Sequence, residues 1–219
     1  MELAISDDDS GADVASASMR STRVPPPIRH IDDIRAKIAA ATDTYMPEMV
    51  DALGGQLVRW PDQAKALHVW LQADPHVPDW SIAYRQMARD AFIDWEDGSI
   101  PFRFAFSPDS ANADIRVSWI DRFPPSRGLQ VGYTQRATDQ YGWIAIVNIV
   151  LAVHDSAGAA RTPAELAGAI RHEVGHSLGL GHSRNPETLM FPSERITEIR
   201  PMDRATLRLL YSLPPGSAR

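Results

Sequence analysis

The chain has 219 residues, of which 44% are hydrophobic and 23% charged, with 13 Gly, 17 Pro and no Cys. This composition is typical of a globular protein and excludes collagen-like, coiled-coil and fully disordered chains. Five acidic residues precede Arg20, so the formal charge of −6 leaves the remaining chain nearly neutral, without a basic footprint for nucleic acid or a membrane surface. The absence of Cys excludes disulfides, thiol nucleophiles and thiolate metal sites, so any metal must be held by His and carboxylate.

The chain before the main domain is predicted to have two parts. Residues 1–27 are rich in Asp, Ser, Ala and Pro and are predicted to be a disordered tail that ends in three prolines. Residues 28–62 are predicted to be a helical lead-in or prosegment-like region, because apolar residues recur at helical spacing over 31–41 and 45–53. The first residues lack the basic segment and following apolar stretch of a secretory signal, so either the signal is missing from this sequence or the protein is not exported by that route.

The main domain is predicted to occupy residues 63–213, with a short tail over 214–219. Its predicted strands are short runs rich in β-branched and aromatic residues, at 67–71, 102–106, 115–119 and 143–153. The longest apolar run, Trp143 to Val153, is half of the roughly 20 residues that a membrane-spanning helix needs. The sequence therefore predicts no membrane span.

Three helices are predicted between and after these strands. One follows Asp79 with apolar residues at i, i+3, i+4, i+7 and i+8, and a last one opens at Pro201. The helix between them starts at a Thr162 cap with Pro163 next and Glu165 at the capping-box position, and Gly179 is placed to end it. The order of elements predicts a mixed α+β domain.

The capped helix carries the pattern His-Glu-x-x-His-x-x-Gly-x-x-His over residues 172–182. His172 and His176 are four residues apart, so their rings project from one helix face and can bind one ion. Gly179 lets the chain turn away so that His182 can supply a third nitrogen, with one position left for a water. Glu173 is placed to accept a proton from that water. The alternative is a surface helix with solvated histidines, which does not explain three of seven histidines within eleven residues.

This extended motif, followed by Met190, resembles the metzincin zinc metalloproteases. Within them, the segment from His182 to Pro192 resembles the matrixins, whose third ligand is commonly followed by Ser and whose Met turn reads Leu-Met-x-Pro. The upstream strands, a Gly132-Tyr133-Thr134 turn and the closing helix extend the resemblance over roughly residues 65 to 212.

The resemblance implies a twisted, mostly parallel sheet of about five strands, a long backing helix, an active-site helix and a C-terminal helix. It implies a catalytic Zn²⁺ on His172, His176 and His182, with Glu173 as general base and Met190 as an apolar base beneath the metal. A protein or peptide substrate would lie extended along an edge strand, predicted around Ile144 to Leu151, with a core strand as the alternative for that stretch. Members of this family are usually secreted, so the resemblance also implies a secreted enzyme. We expect it to be a monomer.

Three departures from the family pattern follow from the residues present. Without Cys there is no cysteine switch for latency, and Pro192 stands where related families place a Tyr. Matrixins also bind structural zinc and calcium, so a structural Ca²⁺ is a further expectation. The candidates at His154-Asp155, Asp109, Asp114 and Asp121 fit no ligand spacing and are predicted to be solvated loop residues.

The leading hypothesis is therefore a zinc-dependent endopeptidase. A zinc-loaded domain that binds peptide without cleaving it is the alternative, although such a binder has no need of Glu173 as a base. A third hypothesis is a zymogen whose residues 28–60 cover the cleft without a Cys.

Overall fold

The computed structural model describes residues 30–62, 66–128, 130–193 and 196–218. The predicted tail at 1–27 lies outside the described residues. No helix within the described ranges is long and apolar enough to cross a bilayer.

Five α-helices and seven strands are formed by the described residues. The helices in chain order are α1 (Ile31–Ala40), α2 (Met46–Ala52), α3 (Ile82–Asp94), α4 (Pro163–Ser177) and α5 (Pro201–Ser212). The strands are β1 (Gln56–Leu57), β2 (Leu67–Leu71), β3 (Phe104–Ser107), β4 (Ile115–Ile120), β5 (Gly132–Thr138), β6 (Ile144–Ala152) and β7 (Gly216–Ser217).

A five-stranded sheet forms the centre of the protein, in the order β3-β2-β4-β6-β5. All neighbours pair in parallel except β5, which runs antiparallel to β6. The alternating burial of β2 and β4 follows from their period-2 sequences, which place one face against the core. The α+β class and the mostly parallel sheet predicted from the sequence are confirmed.

The edge of the sheet differs from the prediction. β6 lies between β4 and β5, so the assignment of Ile144 to Leu151 as the edge strand is wrong, and the edge on that side is β5. The predicted turn at residues 132–134 is the start of β5. The strand escapes sequence reasoning because its residues, Gly-Tyr-Thr-Gln-Arg-Ala-Thr, lack apolar alternation and are mostly half-buried. The strand predicted at 102–106 begins two residues later, at Phe104.

The N-terminal helices share one apolar core with the sheet. Ile34 and Ile38 of α1 are buried, as the helical spacing predicts, and Met46 and Met49 of α2 are fully buried. Immediately after α2, β1 pairs antiparallel with β7, so residues 56–57 lie against residues 216–217 near the end of the chain. Both flanks of the main domain therefore pack on it.

Helices α3 and α4 pack against each other beside the sheet. Trp95, fully buried at the end of α3, donates its indole N–H to the carbonyl of Arg171 at 3.0 Å. Arg171 in turn donates to Asp94 at 2.7 Å. These contacts hold α4 at Arg171, next to His172, against the end of α3.

Candidate active site

The ends of α4 form as its sequence predicts. Thr162 accepts the N–H of Glu165 at 3.3 Å, and the Glu165 carboxylate accepts the N–H of Thr162 at 2.7 Å, completing the capping box. At the other end Gly179 has a φ of 105°, and the N–H groups of Gly179 and Leu180 return to the carbonyls of His176 and Gly175. A side chain at Gly179 would strike the carbonyl of Val58, so this sharp exit requires glycine.

The exit from α4 brings the three predicted histidines together. The ring centroids of His172 and His176 are 4.6 Å apart, and His182 lies 5.4 and 4.8 Å from them. One nitrogen from each ring lies within 4.8 Å of the others, the one group of this kind among the residues the structure describes. The triad could therefore hold a metal ion.

Backbone carbonyls fix the tautomer of two of these rings. The Nδ1 atoms of His172 and His176 lie 2.8 Å from the carbonyl oxygens of Leu189 and Leu180. Because a carbonyl can only accept, each Nδ1 carries the proton and each Nε2 keeps its lone pair. Burial, reinforced by the neighbouring imidazoles, lowers the pKa of His172 to about 4 and that of His176 well below its ordinary value. Both rings are neutral near pH 7, which is the form that binds a metal.

The spacing of two of the nitrogens fits zinc. At a Zn–N distance of about 2.05 Å, two ligands of a tetrahedral ion lie roughly 3.3 Å apart. The Nε2 atoms of His176 and His182 are 3.2 Å apart. The three-nitrogen donor set, the free Nε2 atoms of His172 and His176, and this one distance agree with the group that the motif implies.

Glu173 is held beside the triad by β5, which the sequence did not assign to the site. The Thr134 hydroxyl lies 2.5 Å from Glu173 Oε2 and 3.1 Å from the Glu173 carbonyl oxygen. A Cβ atom at Gly132 would collide with the Glu173 side chain, so glycine leaves room for the carboxylate. Only 5% of Glu173 is exposed. The carboxylate is thus fixed by a hydroxyl donor and by a gap in the neighbouring strand.

Arg136, also on β5, supports the end of α4. Its guanidinium donates to the carbonyls of His176 and Leu180 at 3.1 and 3.3 Å. The Leu180 carbonyl is also the acceptor of the His176 ring. Arg136 therefore holds the turn that orients His176, a role that no local sequence pattern indicates.

Met190 lies beneath α4, the helix that carries His172 and His176. It is fully buried, and its sulfur is so close to Gly175 that a Cβ there would lie 2.5 Å from it. Ser183 donates its N–H to the Met190 carbonyl at 2.9 Å, which joins the His182 loop to the turn at Met190. The placement agrees with the expected apolar base of the site.

The other predicted candidates lie elsewhere. His154 is buried between two carboxylates, with Nε2 2.9 Å from Asp79 and Nδ1 2.7 Å from Asp121. Asp109 and Asp155 accept backbone N–H groups within their own loops. His154 thus departs from the prediction of a solvated loop residue, because its two partners come from segments distant in sequence. The expectation of a structural Ca²⁺ stays a prediction.

Comparison with known families agrees with this geometry. Residues 147–212 match the family model described as Matrixin. The matched part includes the three histidines, Glu173 and Met190, and is shorter than the 65–212 range of the predicted resemblance. Over these residues the resemblance to a matrixin-like metzincin catalytic domain is confirmed.

Proposed function

We propose that this matrixin-like metzincin domain is a zinc-dependent endopeptidase. The observation that carries the proposal is the convergence of three imidazoles, two of them held with Nε2 unprotonated, beside the buried carboxylate of Glu173. His172, His176 and His182 would hold the ion. Zinc in such a site supplies a Lewis acid that polarises a carbonyl and lowers the pKa of water toward ~7.

Glu173 is assigned the proton transfers. It takes a proton from the attacking water as the water oxygen bonds to the scissile carbonyl carbon, then gives it to the amine nitrogen as the C–N bond breaks. The Thr134 hydroxyl donates a hydrogen bond to Oε2 of Glu173, which orients the carboxylate. A fixed acceptor reduces the reorganisation needed at the moment of transfer.

Strand β5 is the surface on which we place the substrate. Among the described residues β5 pairs with no strand other than β6, so its outer edge is where an extended peptide could pair. The same strand contributes Thr134 to Glu173 and Arg136 to the His176 turn. A peptide bound along β5 would therefore pass the triad and the general base. The family resemblance also favours an extracellular site of action.

The proposal is tested by metal analysis together with cleavage. Purified protein should contain about one zinc per chain and cleave an unfolded protein, and a chelator should abolish cleavage until zinc is restored. Glu173→Gln should retain zinc but lose cleavage, because the amide cannot accept the proton. Glu165→Gln, which changes an exposed carboxylate of the same helix, is the matched control and should cleave normally.

The same variant separates the endopeptidase from a non-proteolytic peptide binder. Full cleavage by Glu173→Gln would contradict the assigned base. Tight binding of extended peptides by zinc-replete wild type without turnover would favour the binder.

A further inference from the structure

Helix α2, together with Tyr45 just before it, touches the loop that carries His182, although these residues lie outside the part of the chain that matches the family model. Glu48 accepts the backbone N–H of Arg184, two residues after His182, at 2.7 Å. On the other side of His182, Met49 packs against Gly181, where an added Cβ would lie 2.8 Å from Met49 Cγ. The loop is therefore held from α2 on both sides of the histidine.

Tyr45 reaches the turn at Met190 through a second carboxylate. Its hydroxyl lies 3.3 Å from Asp203, a fully buried residue of α5. Asp203 accepts the N–H groups of Leu189 and Met190 at 2.9 and 3.4 Å. The burial of Tyr45 raises the pKa of its hydroxyl, which therefore stays protonated and donates to Asp203.

The peptide unit between Leu189 and Met190 joins this carboxylate to the triad. Its N–H, from Met190, faces Asp203, while its C=O, from Leu189, accepts the Nδ1–H of His172. A chain of hydrogen bonds therefore runs from Tyr45 through Asp203 and this peptide to His172. Tyr45 is itself fixed, because its backbone N–H donates to Thr206 at 3.1 Å.

We infer that Tyr45 and Glu48 are positioning residues of the metal site, holding the His172 acceptor and the His182 loop in place before the ion binds. The inference rests on the proposed zinc function. Residues around a metal that orient its ligands are typically worth about 10- to 100-fold in metal affinity. Glu48 contacts the His182 loop and Tyr45 lies two contacts beyond the acceptor of His172, so removing either hydrogen bond should weaken zinc binding by less, about 3- to 10-fold.

The test is a competition titration of the metal-free full chain with Zn²⁺ against a chelating dye, with a Co²⁺ absorption spectrum for each variant. Tyr45→Phe removes only the hydroxyl, and Glu48→Ala removes the acceptor from a half-exposed position without opening a core cavity. Both should bind Zn²⁺ more weakly and alter the Co²⁺ ligand-field bands. Glu48→Gln keeps an acceptor oxygen and should restore wild-type affinity.

Tyr84→Phe is the matched control, since it removes the hydroxyl of a half-buried tyrosine in α3 that packs on Trp119. It should bind zinc like the wild type. Unchanged Zn²⁺ affinity and Co²⁺ spectra in both Tyr45→Phe and Glu48→Ala, even with lower thermal stability, would overturn the inference and leave the proposed function intact. Failure of the wild type to bind zinc would instead overturn the proposed function, and this inference with it.

Discussion

Glu173 lies on α4 and its hydroxyl partner, Thr134, lies on β5. Their hydrogen bond joins the strand to the helix. Thr134 is close enough to donate to Oε2 at 2.5 Å, and the carboxylate is almost fully shielded from water. A hydrogen bond to a charged group is worth about 1.5–3 kcal/mol, more than one between neutral groups. The position of Thr134 is therefore one where a single hydroxyl matters for proton transfer.

We expect Thr134→Val to lower kcat/KM by about 10- to 100-fold, while the zinc content stays at the wild-type level. Valine keeps the β-branched shape that suits a strand, so the loss reports the hydroxyl rather than the fold. Steady-state kinetics on a peptide substrate and metal analysis of the same sample provide the measurement. Thr42→Val, an exposed change outside strand β5, should be neutral. Equal losses in the two variants would contradict the role of Thr134.

The elements of this fold were predictable where their signals are local. Helix α4 was predicted closely because Thr162 and Gly179 mark its ends, and the triad with Glu173 falls within eleven residues. Strand β5 was missed because it lies at a sheet edge and its apolar and polar residues do not alternate. The roles of Thr134 and Arg136, which lie on it, were therefore missed as well. Asp203 could not be found either, since it contacts Leu189 and Tyr45 across 14 and 158 residues of sequence.

His154, which is not part of the histidine triad, links the ends of three elements through its two carboxylate partners. It follows β6, and its ring lies between Asp121, just after β4, and Asp79, just before α3. Hydrogen bonding to Asp79 and then Asp121 raises the pKa of His154 above 6.5 against the opposing effect of burial. Arg122 also pairs with Asp121, at 2.8 Å, and helps keep that carboxylate ionised.

A raised pKa in the folded protein makes this histidine a pH-dependent contribution to stability. The contribution is fully present below the unfolded value of 6.5 and is lost as pH rises through the folded value. We therefore expect the melting temperature of wild type to exceed that of His154→Gln most near pH 6, and the gap to shrink toward pH 8.5. Thermal unfolding of both proteins across this range measures it.

His68→Gln is the control for that experiment, since His68 is exposed and lies 3.6 Å from Asp114. Titration of His172, His176 and His182, which are present in every protein of the set, is expected to cancel in the differences. A gap between wild type and His154→Gln that grows with pH would contradict the assigned pairing.

At the scale of the whole molecule, both ends of the described chain close onto the domain rather than extending from it. Strand β1 pairs with β7, and Arg59 donates to the Leu213 carbonyl at 2.9 Å. Trp60 donates its indole N–H to the Ser177 carbonyl at the end of α4. With no Cys in the chain, no disulfide joins the segment before residue 61 to the site, so its attachment depends on these and the other noncovalent contacts described above.

The segment from α1 to Trp60 is accordingly expected to be required for folding and metal binding. Tyr45, Met46, Met49 and Trp60 are at most 1% exposed. Burial of each such side chain is worth about 1.5–3 kcal/mol, and a typical domain is stable by only about 5–15 kcal/mol. A chain that begins at Gln63 should therefore be unfolded or deficient in zinc, whereas one that begins at His30 keeps every described contact and should match the full chain. Circular dichroism, zinc content and cleavage compare the full chain with the two shortened chains. A chain beginning at Gln63 that is folded, zinc-replete and more active than the full chain would instead identify the segment from α1 to Trp60 as an inhibitory prosegment.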